Sequence, residues 1–255
     1  MDESQYATAG RRMNIEDVVA WYRRERKPQI TAERAQELYF QFHPRTAFLK
    51  MLPVGATVAD IGAGDGSLSV FRKWPEPARD DLRLHAYSIE KGAHFDAFES
   101  YEISDWNDAQ PEFGGIRFDA VVCAHFIEHI ADPASLVHWT RRKLVNGGRV
   151  YVEWPSEHAK ELPSRQELLD AGVPLVISRY QDDATHGDLP DRAAICEAFS
   201  ANGFEVEQVG IVHLPWIEEQ LMANLRDSKD EFPRQAAFWS MTRWSQFVVA
   251  RLPAV

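Results

Sequence analysis

The chain is poor in cysteine and contains no long apolar run. Its 255 residues include two cysteines, Cys123 and Cys196, which cannot form a disulfide framework and do not belong to a Cys-x-x-Cys pair. No run of about 18 apolar residues occurs, which argues against a membrane-spanning helix. Residues 1–10 are polar and lack the apolar centre of a secretory signal. We therefore expect a cytoplasmic protein with no membrane partner.

Basic residues are outnumbered by acidic ones. The chain has 28 Lys and Arg against 39 Asp and Glu, which gives a formal net charge of -11. Because nucleic acids are bound chiefly through their phosphates, a chain of this charge repels them as a whole. The hydrophobic fraction of 45% and the charged fraction of 26% are ordinary for globular proteins. The composition therefore indicates a globular protein that has no nucleic-acid partner.

Short apolar strands alternate with helices from residue 53 onward. Phe118 to Ala124 is almost entirely apolar, as expected of a strand that is covered on both faces. Strands are predicted over residues 57–61, 82–89, 98–103, 118–124, 149–153, 204–214 and 245–252. This alternation is typical of a parallel sheet with helices on both of its faces. We therefore predict an α/β fold.

Two helices are predicted before the first strand, and two long segments interrupt the later alternation. The first helix begins near Ile15, and the second begins after Thr31 and is split at Pro44, which has no N–H to donate. Residues 1–52 are therefore predicted to form an N-terminal helical cap, and residues 53–255 the main domain. Residues 154–190 and 215–244 follow strand ends, so we predict that they are insertions that cover a site.

A cluster of glycines follows the first predicted strand. Gly62, Gly64 and Gly66 allow the backbone to turn tightly and to approach a ligand without a clash at Cβ. Ser67 stands where a dinucleotide-binding loop has its third glycine, which argues against an NAD-type dehydrogenase. Asp60 lies two residues before the first glycine, where its carboxylate would repel a pyrophosphate but suits a cationic amino group. The loop is therefore predicted to bind a ligand with such a group.

The run Asp60-Ile61-Gly62-Ala63-Gly64-Asp65-Gly66 resembles motif I of the class I S-adenosylmethionine-dependent methyltransferases, whose pattern is acid-x-Gly-x-Gly-x-Gly. The resemblance extends over about residues 53–252. Glu90, at the end of the second strand, matches the acid that binds the ribose hydroxyls in that family, since one carboxylate can accept two hydrogen bonds. Asp105-Trp106 match the residues at the adenine. The resemblance implies a Rossmann-like, mostly parallel seven-stranded sheet and S-adenosylmethionine as the cofactor.

The resemblance also implies which positions bind the cofactor. Arg45, on the helix before the first strand, is expected to pair with the carboxylate at the methionine end. His125 and Phe126 are expected at the lip of the site, near the sulfonium. The full predicted set is Arg45, Asp60, Gly62, Ala63, Gly64, Gly66, Glu90, Asp105, Trp106, Ala124, His125 and Phe126.

The segment from His125 to His129 also spells His-x-x-Glu-His, the inverted zincin signature of zinc hydrolases. On a helix, His125 and His129 would share a face and bind the metal, with Glu128 as the general base. The five residues directly follow a predicted buried strand, however, and Asp132-Pro133 mark a helix start only after them. We therefore predict a loop without a metal site and keep the zinc hydrolase as an alternative.

The resemblance implies methyl transfer, which is an in-line displacement at a sulfonium. The protein has mainly to align the reacting atoms and to exclude water. A hydroxyl acceptor also needs a base, and histidine has a suitable pKa. His125 and His129 are predicted as catalytic residues, with Glu153 as another candidate base. The predicted reaction is methylation of a small-molecule or glycan acceptor at oxygen, and the alternative is a non-catalytic module that binds S-adenosylmethionine or a nucleotide.

Overall fold

The computed structural model describes residues 13–254, which contain a seven-stranded sheet. Its strands are β1 (Thr57–Ile61), β2 (Arg83–Ser88), β3 (Ser100–Ile103), β4 (Phe118–Ala124), β5 (Leu144–Pro155), β6 (Glu205–Ile211) and β7 (Ser245–Arg251). Strands β1 to β5 run parallel, whereas β7 is antiparallel to both β5 and β6. The predicted Rossmann-like sheet, mostly parallel and seven-stranded, is confirmed.

The order of the strands places a binding crevice near β1 and β4. The strands lie in the order β3-β2-β1-β4-β5-β7-β6, so the chain moves outward from β1 in one direction and then returns to start β4 on its other side. In open α/β sheets, ligands bind beyond the carboxyl ends of the strands at such a reversal. The segments that leave β1 and β4 are the glycine loop and the stretch that begins at His125.

Strand β5 is longer than its predicted range of 149–153. It begins at Leu144 and therefore includes Asn146-Gly147-Gly148, which lie outside the predicted strand. Gly147 has a φ of 83° and donates its N–H to the carbonyl of Leu252, while Leu252 donates to the carbonyl of Gly148. Pairing with the far end of the chain therefore draws these residues into the strand.

Nine helices occur in the described residues. They are α1 (Ile15–Arg23), α2 (Ala32–Phe42), α3 (Pro44–Lys50), α4 (Leu68–Lys73), α5 (Pro133–Lys143), α6 (Arg165–Asp170), α7 (Arg192–Ala201), α8 (Pro215–Leu225) and α9 (Phe232–Thr242). Asn14 caps α1, Thr31 caps α2 and Asp132 caps α5, each through its side chain. Pro44 divides α2 from α3, as predicted from its missing N–H. Within residues 13–254, no helix has the length and apolar character needed to cross a membrane.

The buried side chains form three clusters. One packs α5 and α7 against one face of the sheet, and a second packs α3 and α4 against the other face, so both faces are covered. The third cluster, called here the cap cluster, joins α1 and α2 to residues 159–180 and to α8 and α9. Its fully buried members include Val18, Leu168 and Phe238. The N-terminal helices therefore pack with both long insertions, while the division at residue 52 stays a prediction.

Candidate active site

The three glycines after β1 all have positive φ but differ in what surrounds them. Their φ angles are 76° at Gly62, 55° at Gly64 and 84° at Gly66, a region in which residues with a Cβ are strained. A Cβ on Gly62 would overlap the side chain of Phe126, and one on Gly66 would lie 3.0 Å from the ring of Phe95. Nothing lies within 4 Å of the corresponding position at Gly64. Gly64 thus presents bare backbone to open space.

That open space is a cavity of about 410 Å³ at the carboxyl ends of β1 to β4. A volume of this size is typical of sites for small ligands and cofactors. Its lining residues are Gly62, Gly64, Ser88, Ile89, Ser104, Asp105, Trp106, Asn107, Phe126, His129, Ile130 and Thr185. Five of the predicted cofactor-binding residues and one of the two predicted catalytic histidines are therefore brought together here.

Trp106 and Phe126 give one side of the cavity its aromatic character. The indole N–H of Trp106 donates to Ser135 Oγ at 2.9 Å, which fixes the ring. The rings of Trp106 and Phe126 meet edge to face with their centroids 5.5 Å apart. A flat aromatic ligand group such as adenine could lie against these rings, which agrees with the position expected for Asp105-Trp106.

Glu90 lies beside the cavity without lining it. Strand β2 ends at Ser88, and Ser88 and Ile89 take the lining positions. Glu90 itself is exposed, and two residues later Gly92 packs directly on the carbonyl oxygen of Gly64. The segment after β2 therefore rests on the glycine loop, and an exposed carboxylate at its start has room to turn toward a ligand. Gly92 was not predicted from the sequence.

Three further predicted residues, Ala63, Gly66 and Ala124, do not line the cavity. Ala63 is buried in the cluster that packs α4 on the sheet, and Gly66 is held by the rings of Phe95 and Phe98. Ala124 is the last residue of β4 and is partly buried. These positions support the shape of the loop and do not offer a ligand-binding side chain.

Asp60 and Arg45 bring opposite charges to the region of the glycine loop, near enough for Arg45 to lower the pKa of Asp60. Asp60 is 6% exposed, and burial raises its pKa to about 7, against the opposing effect of Arg45. The side chain of Arg45 makes no hydrogen bond or ion pair within residues 13–254, and its buried Nε is unpartnered. Its guanidinium carbon lies 5.4 Å from the centre of the Phe71 ring. A buried carboxylate and a guanidinium, neither of which has a side-chain hydrogen-bond partner among residues 13–254, match the ammonium and carboxylate of an α-amino acid.

These features fit S-adenosylmethionine. The cofactor has an amino-acid end, a ribose, an adenine and, when bound, supplies a methyl group on a positively charged sulfur. Asp60 and Arg45 suit the amino-acid end, the bare backbone at Gly64 allows close approach, and the aromatic side of the cavity suits the base. The buried carboxylate of Asp60 would repel a pyrophosphate when it is ionised.

His125 directly precedes the cavity-lining Phe126, does not itself line the cavity, and lies between two buried carboxylates. Its φ is 54°, and its backbone N–H donates to the carbonyl of Glu153 at 2.8 Å. Its Nε2 lies 3.1 Å from Glu153 Oε1, and its Nδ1 lies 3.4 Å from Glu128 Oε1. Burial lowers the pKa of His125, but Glu128 and Glu153 outweigh burial and raise it to about 9. The ring therefore carries both protons at neutral pH.

Glu153 has further partners that keep it ionised. Tyr151 donates its hydroxyl to Glu153 Oε2 at 2.5 Å, and His43 Nε2 lies 3.8 Å from Oε1. Burial raises the pKa of Glu153, but His43, His125 and Arg45 outweigh burial and hold it below its usual value. Tyr151 and His43 were not predicted as site residues, and Glu153 now has the role of orienting His125.

Two tryptophans from the C-terminal insertion complete this side of the site. The Trp239 ring stacks on the His125 ring with centroids 5.9 Å apart, and the Trp244 ring lies 5.4 Å from it. The indole N–H of Trp239 is buried and has no hydrogen-bond partner within the described chain. The insertion predicted to cover a site therefore reaches His125.

The helix that a zinc hydrolase requires does not form. Residues Ile127–His129 make a single 3₁₀ turn. The positive φ of His125 is not helical, so no helix runs from His125 to His129. His125 and His129 are therefore not placed one turn apart on a helix face, and the nitrogens of His125 face Glu153 and Glu128.

Comparisons with known proteins agree with this geometry. Residues 31–209 match the family model described as a methyltransferase domain, which is more than half of the chain. A ubiquinone biosynthesis O-methyltransferase from Xanthomonas axonopodis is 28% identical over 180 residues, covering 66% of this chain and 70% of the relative. One from Alkalilimnicola ehrlichii is 32% identical over 106 residues, but covers 38% of this chain and 40% of the relative.

Solved structures share the fold at lower sequence identity. A Bacillus halodurans protein described as a methyltransferase is 17% identical with a TM-score of 0.52, covering 82% of this chain and 98% of its own. The [4+2]-cyclase SpnF is 15% identical with a TM-score of 0.50 and covers 94% and 93%. At such identity these two structures show the fold alone. Together with the match over residues 31–209, the glycine loop and the paired charges identify the chain as an S-adenosylmethionine-dependent methyltransferase that belongs to the methyltransferase domain family.

Proposed function

We propose that the enzyme methylates an oxygen atom of a small-molecule acceptor. The observation that carries this proposal is His125, which directly precedes the cavity-lining Phe126, is fixed by Glu153 and is stacked on Trp239. Because both ring nitrogens face carboxylates, the imidazolium acts through its positive charge, which can stabilise the negative charge that develops on an acceptor oxygen. The relatives named as ubiquinone biosynthesis O-methyltransferases support an oxygen acceptor.

The cofactor-binding residues act before and during the transfer. We propose that Asp60 binds the ammonium and Arg45 the carboxylate of the cofactor, and that Glu90 binds its ribose. Asp105 and Trp106 hold the adenine. These contacts orient the methyl group, and closure of the site by the insertion at 215–244 excludes water, which is what an in-line displacement needs from a protein.

The acceptor side is mostly aromatic. Trp239 offers a buried indole N–H without a partner, so an acceptor oxygen can accept its hydrogen bond while an apolar ring of the acceptor lies against the indole. A planar small molecule with a hydroxyl fits this environment. A sugar hydroxyl is the second class of acceptor to be tested. The net charge of -11 supports an acceptor other than nucleic acid and agrees with the proposed cytoplasmic location.

Release of S-adenosylhomocysteine with a panel of acceptors tests the proposal. The panel contains phenols, aliphatic alcohols, oligosaccharides and amines at equal concentration. We expect turnover with a hydroxyl acceptor and a methyl ether as the product. Turnover with amines alone contradicts the proposal, and tight cofactor binding without turnover on any acceptor favours a non-catalytic binding module.

A variant at His125 separates chemistry from cofactor binding. Asparagine tolerates the left-handed backbone that His125 adopts, so His125→Asn removes the imidazole with little backbone strain. We expect kcat to fall by at least about tenfold, as on loss of one charge-stabilising group, while calorimetry shows an unchanged cofactor affinity. An unchanged kcat would remove His125 from the catalytic machinery.

A further inference from the structure

Three potential metal ligands meet where the 3₁₀ turn after β4 touches the insertion at residues 154–190. They are Glu128 and His129 from the turn and His186 from the insertion, and one ligand atom from each lies within 4.8 Å of the others. The two imidazole rings have centroids 4.8 Å apart. The insertion is also tied to the turn through the backbone, since Gly187 donates its N–H to the carbonyl of Glu128 at 2.8 Å.

The hydrogen bonds of His186 leave one of its ring nitrogens free. His186 Nδ1 lies 2.7 Å from the carbonyl oxygen of Tyr180. A carbonyl can only accept, so Nδ1 carries the proton, and in the neutral ring Nε2, which lies 3.9 Å from Asp183 Oδ2, has the lone pair. The Tyr180 ring stacks on the imidazole with centroids 4.4 Å apart, which holds the ring in place.

His129 is fixed in the same tautomer by a chain of two bonds. Its Nδ1 lies 2.9 Å from Thr185 Oγ1, and that hydroxyl lies 2.6 Å from Asp183 Oδ1. The hydroxyl has one proton, which goes to the carboxylate, so Thr185 must accept from His129 Nδ1–H. His129 Nε2 therefore has its lone pair free as well. A bond from Nδ1–H to a second residue is how proteins usually orient metal-binding histidines.

The third member, Glu128, is a carboxylate that lacks sufficient partners. It is 1% exposed, and neither of its oxygens accepts a hydrogen bond from the described residues. His125 Nδ1, at 3.4 Å, is a neighbouring charge outside hydrogen-bond geometry. Leaving a buried carboxylate without hydrogen bonds is costly, and a cation in contact with it would remove that cost.

We propose that Glu128, His129 and His186 bind one divalent transition-metal ion of the Zn²⁺ class. Two imidazoles and one carboxylate are ligands that Zn²⁺ and Co²⁺ prefer, and three protein ligands leave one position open. Metal bonds of about 2.0–2.2 Å require the three ligand atoms to draw closer than they now lie. The ligand atoms already lie within 4.8 Å of one another, so small side-chain rotations bring them to these distances.

The site borders the cofactor cavity, because His129 and Thr185 also line it. In this arrangement His129 is a ligand, in place of the proton-accepting role predicted from the sequence. The bound ion joins the insertion to the turn that carries Phe126 and His129. In the inverted zincin set, the two histidine ligands are His125 and His129. In the proposed site, His186 takes the place of His125.

The test uses untagged, chelator-treated full-length protein titrated with Zn²⁺ and, separately, with Co²⁺. Calorimetry should show one ion per chain, and Co²⁺ should give the visible absorption of a site with nitrogen and oxygen ligands. Glu128→Gln and His186→Ala should each weaken metal binding by at least about tenfold. A tenfold loss of affinity is already typical when a residue that hydrogen-bonds to a metal ligand is replaced. Thr185→Val should also weaken binding, because it releases His129 Nδ1–H.

His158→Ala is the matched control, since His158 lies in the same insertion but outside the cluster. It should bind metal as the unmodified chain does. Zn²⁺ should raise the Tm of the unmodified chain and of His158→Ala, but not of His186→Ala. Equal affinity in the unmodified chain and His186→Ala would overturn the proposal. Loss of binding in His125→Ala with no effect in His186→Ala would also overturn it and assign the metal to the zincin set.

Discussion

Gly64 is a residue whose replacement should affect cofactor binding more than folding. Its φ of 55° costs an alanine about 1–2 kcal/mol. Because a Cβ there would meet no protein atom within 4 Å, the methyl group would project into the space that the ligand needs. We expect Gly64→Ala to lower S-adenosylmethionine affinity by at least about tenfold, the effect of about 1.4 kcal/mol, as measured by calorimetry.

Gly55→Ala is the control for backbone strain. Gly55 has a φ of 74°, is likewise without neighbours within 4 Å, and precedes β1 outside the cavity. Urea unfolding should show a similar loss of stability for both variants. Equal cofactor affinity in the two variants would mean that Gly64 does not face the ligand.

Asp60 should make cofactor binding depend on pH. The carboxylate must be ionised to hold an ammonium group, and burial raises its pKa to about 7. Below pH 7 the affinity should therefore fall by up to about tenfold per pH unit, because a proton must leave Asp60 first. Calorimetry between pH 5.5 and 8.5 measures this.

Asp60→Asn should lower the affinity at pH 8 and remove the pH dependence below 7. Proton release on binding, measured in two buffers of different ionisation enthalpy, should disappear as well. A pH dependence that survives the substitution would assign the titration to another group.

At the scale of elements, the contact between α8 and α9 contains a buried acid. Ser240 on α9 donates to Glu218 Oε2 on α8 at 2.6 Å, and Glu218 is 6% exposed. Burial raises the pKa of Glu218 to about 7, against the opposing effect of the bond from Ser240. The folded state therefore holds a proton that the unfolded chain releases above the ordinary glutamate pKa of 4.5.

Stability should consequently fall as pH rises from about 4.5 to about 7 and then remain level. Glutamine keeps an oxygen that can accept from Ser240 and carries no charge. We expect Glu218→Gln to raise the free energy of unfolding by up to about 3 kcal/mol at pH 8 and to change it little at pH 4.5. Urea unfolding at both pH values measures this, and parallel profiles for the two proteins would contradict it.

The helices and strands themselves were largely predictable. Strand β4 has the predicted bounds, and most other strands end within a few residues of theirs, because runs of apolar residues and their Gly or Pro boundaries are local signals. α5 begins at Pro133 after the cap Asp132 for the same reason. Residues 215–244, predicted only as an insertion, contain two helices, and residues 226–231 carry no Pro or Gly to mark the break between them.

At the scale of the whole molecule, the cap cluster links both ends of the chain. Phe238 on α9 is fully buried there, and its ring lies 6.2 Å from that of Trp21 on α1. Phe238→Ala should lower the free energy of unfolding by about 3–5 kcal/mol. Because its neighbour Trp239 stacks on His125, we also expect a higher KM for the acceptor with unchanged cofactor affinity.

Phe199→Ala is the matched control, since Phe199 is equally buried but packs α7 on the sheet. It should be as destabilising and should leave the acceptor KM unchanged. Both variants should unfold in one transition when followed by fluorescence and by circular dichroism. A separate early transition in Phe238→Ala would show that the cap unfolds on its own, as expected of an independent domain.

The candidate site was predictable only where its residues are close in sequence. Asp60 is the penultimate residue of β1, the glycine loop follows β1 and the pair Asp105-Trp106 follows β3, and a parallel sheet brings these strand ends to one edge. His43 and Tyr151 were missed because nothing in their local sequence marks them. The packing of α3 on the sheet brings its N-cap His43 to Glu153, whereas Tyr151 lies two residues before Glu153 on the same strand, β5.

The sequence by itself determined the order of strands and helices, the bare turn after β1 and the class of cofactor, since these depend on local conformational preference and on residue type. The tertiary structure alone decided the surroundings of His125 and the meeting of His129 with His186. The contacts of His125 with Glu153 and of His129 with His186 join residues 28 and 57 positions apart, and the charges and tautomers of these groups follow from burial and from hydrogen-bond partners that are distant in sequence. Local sequence cannot specify them, because desolvation and pairing exist only after the chain has folded.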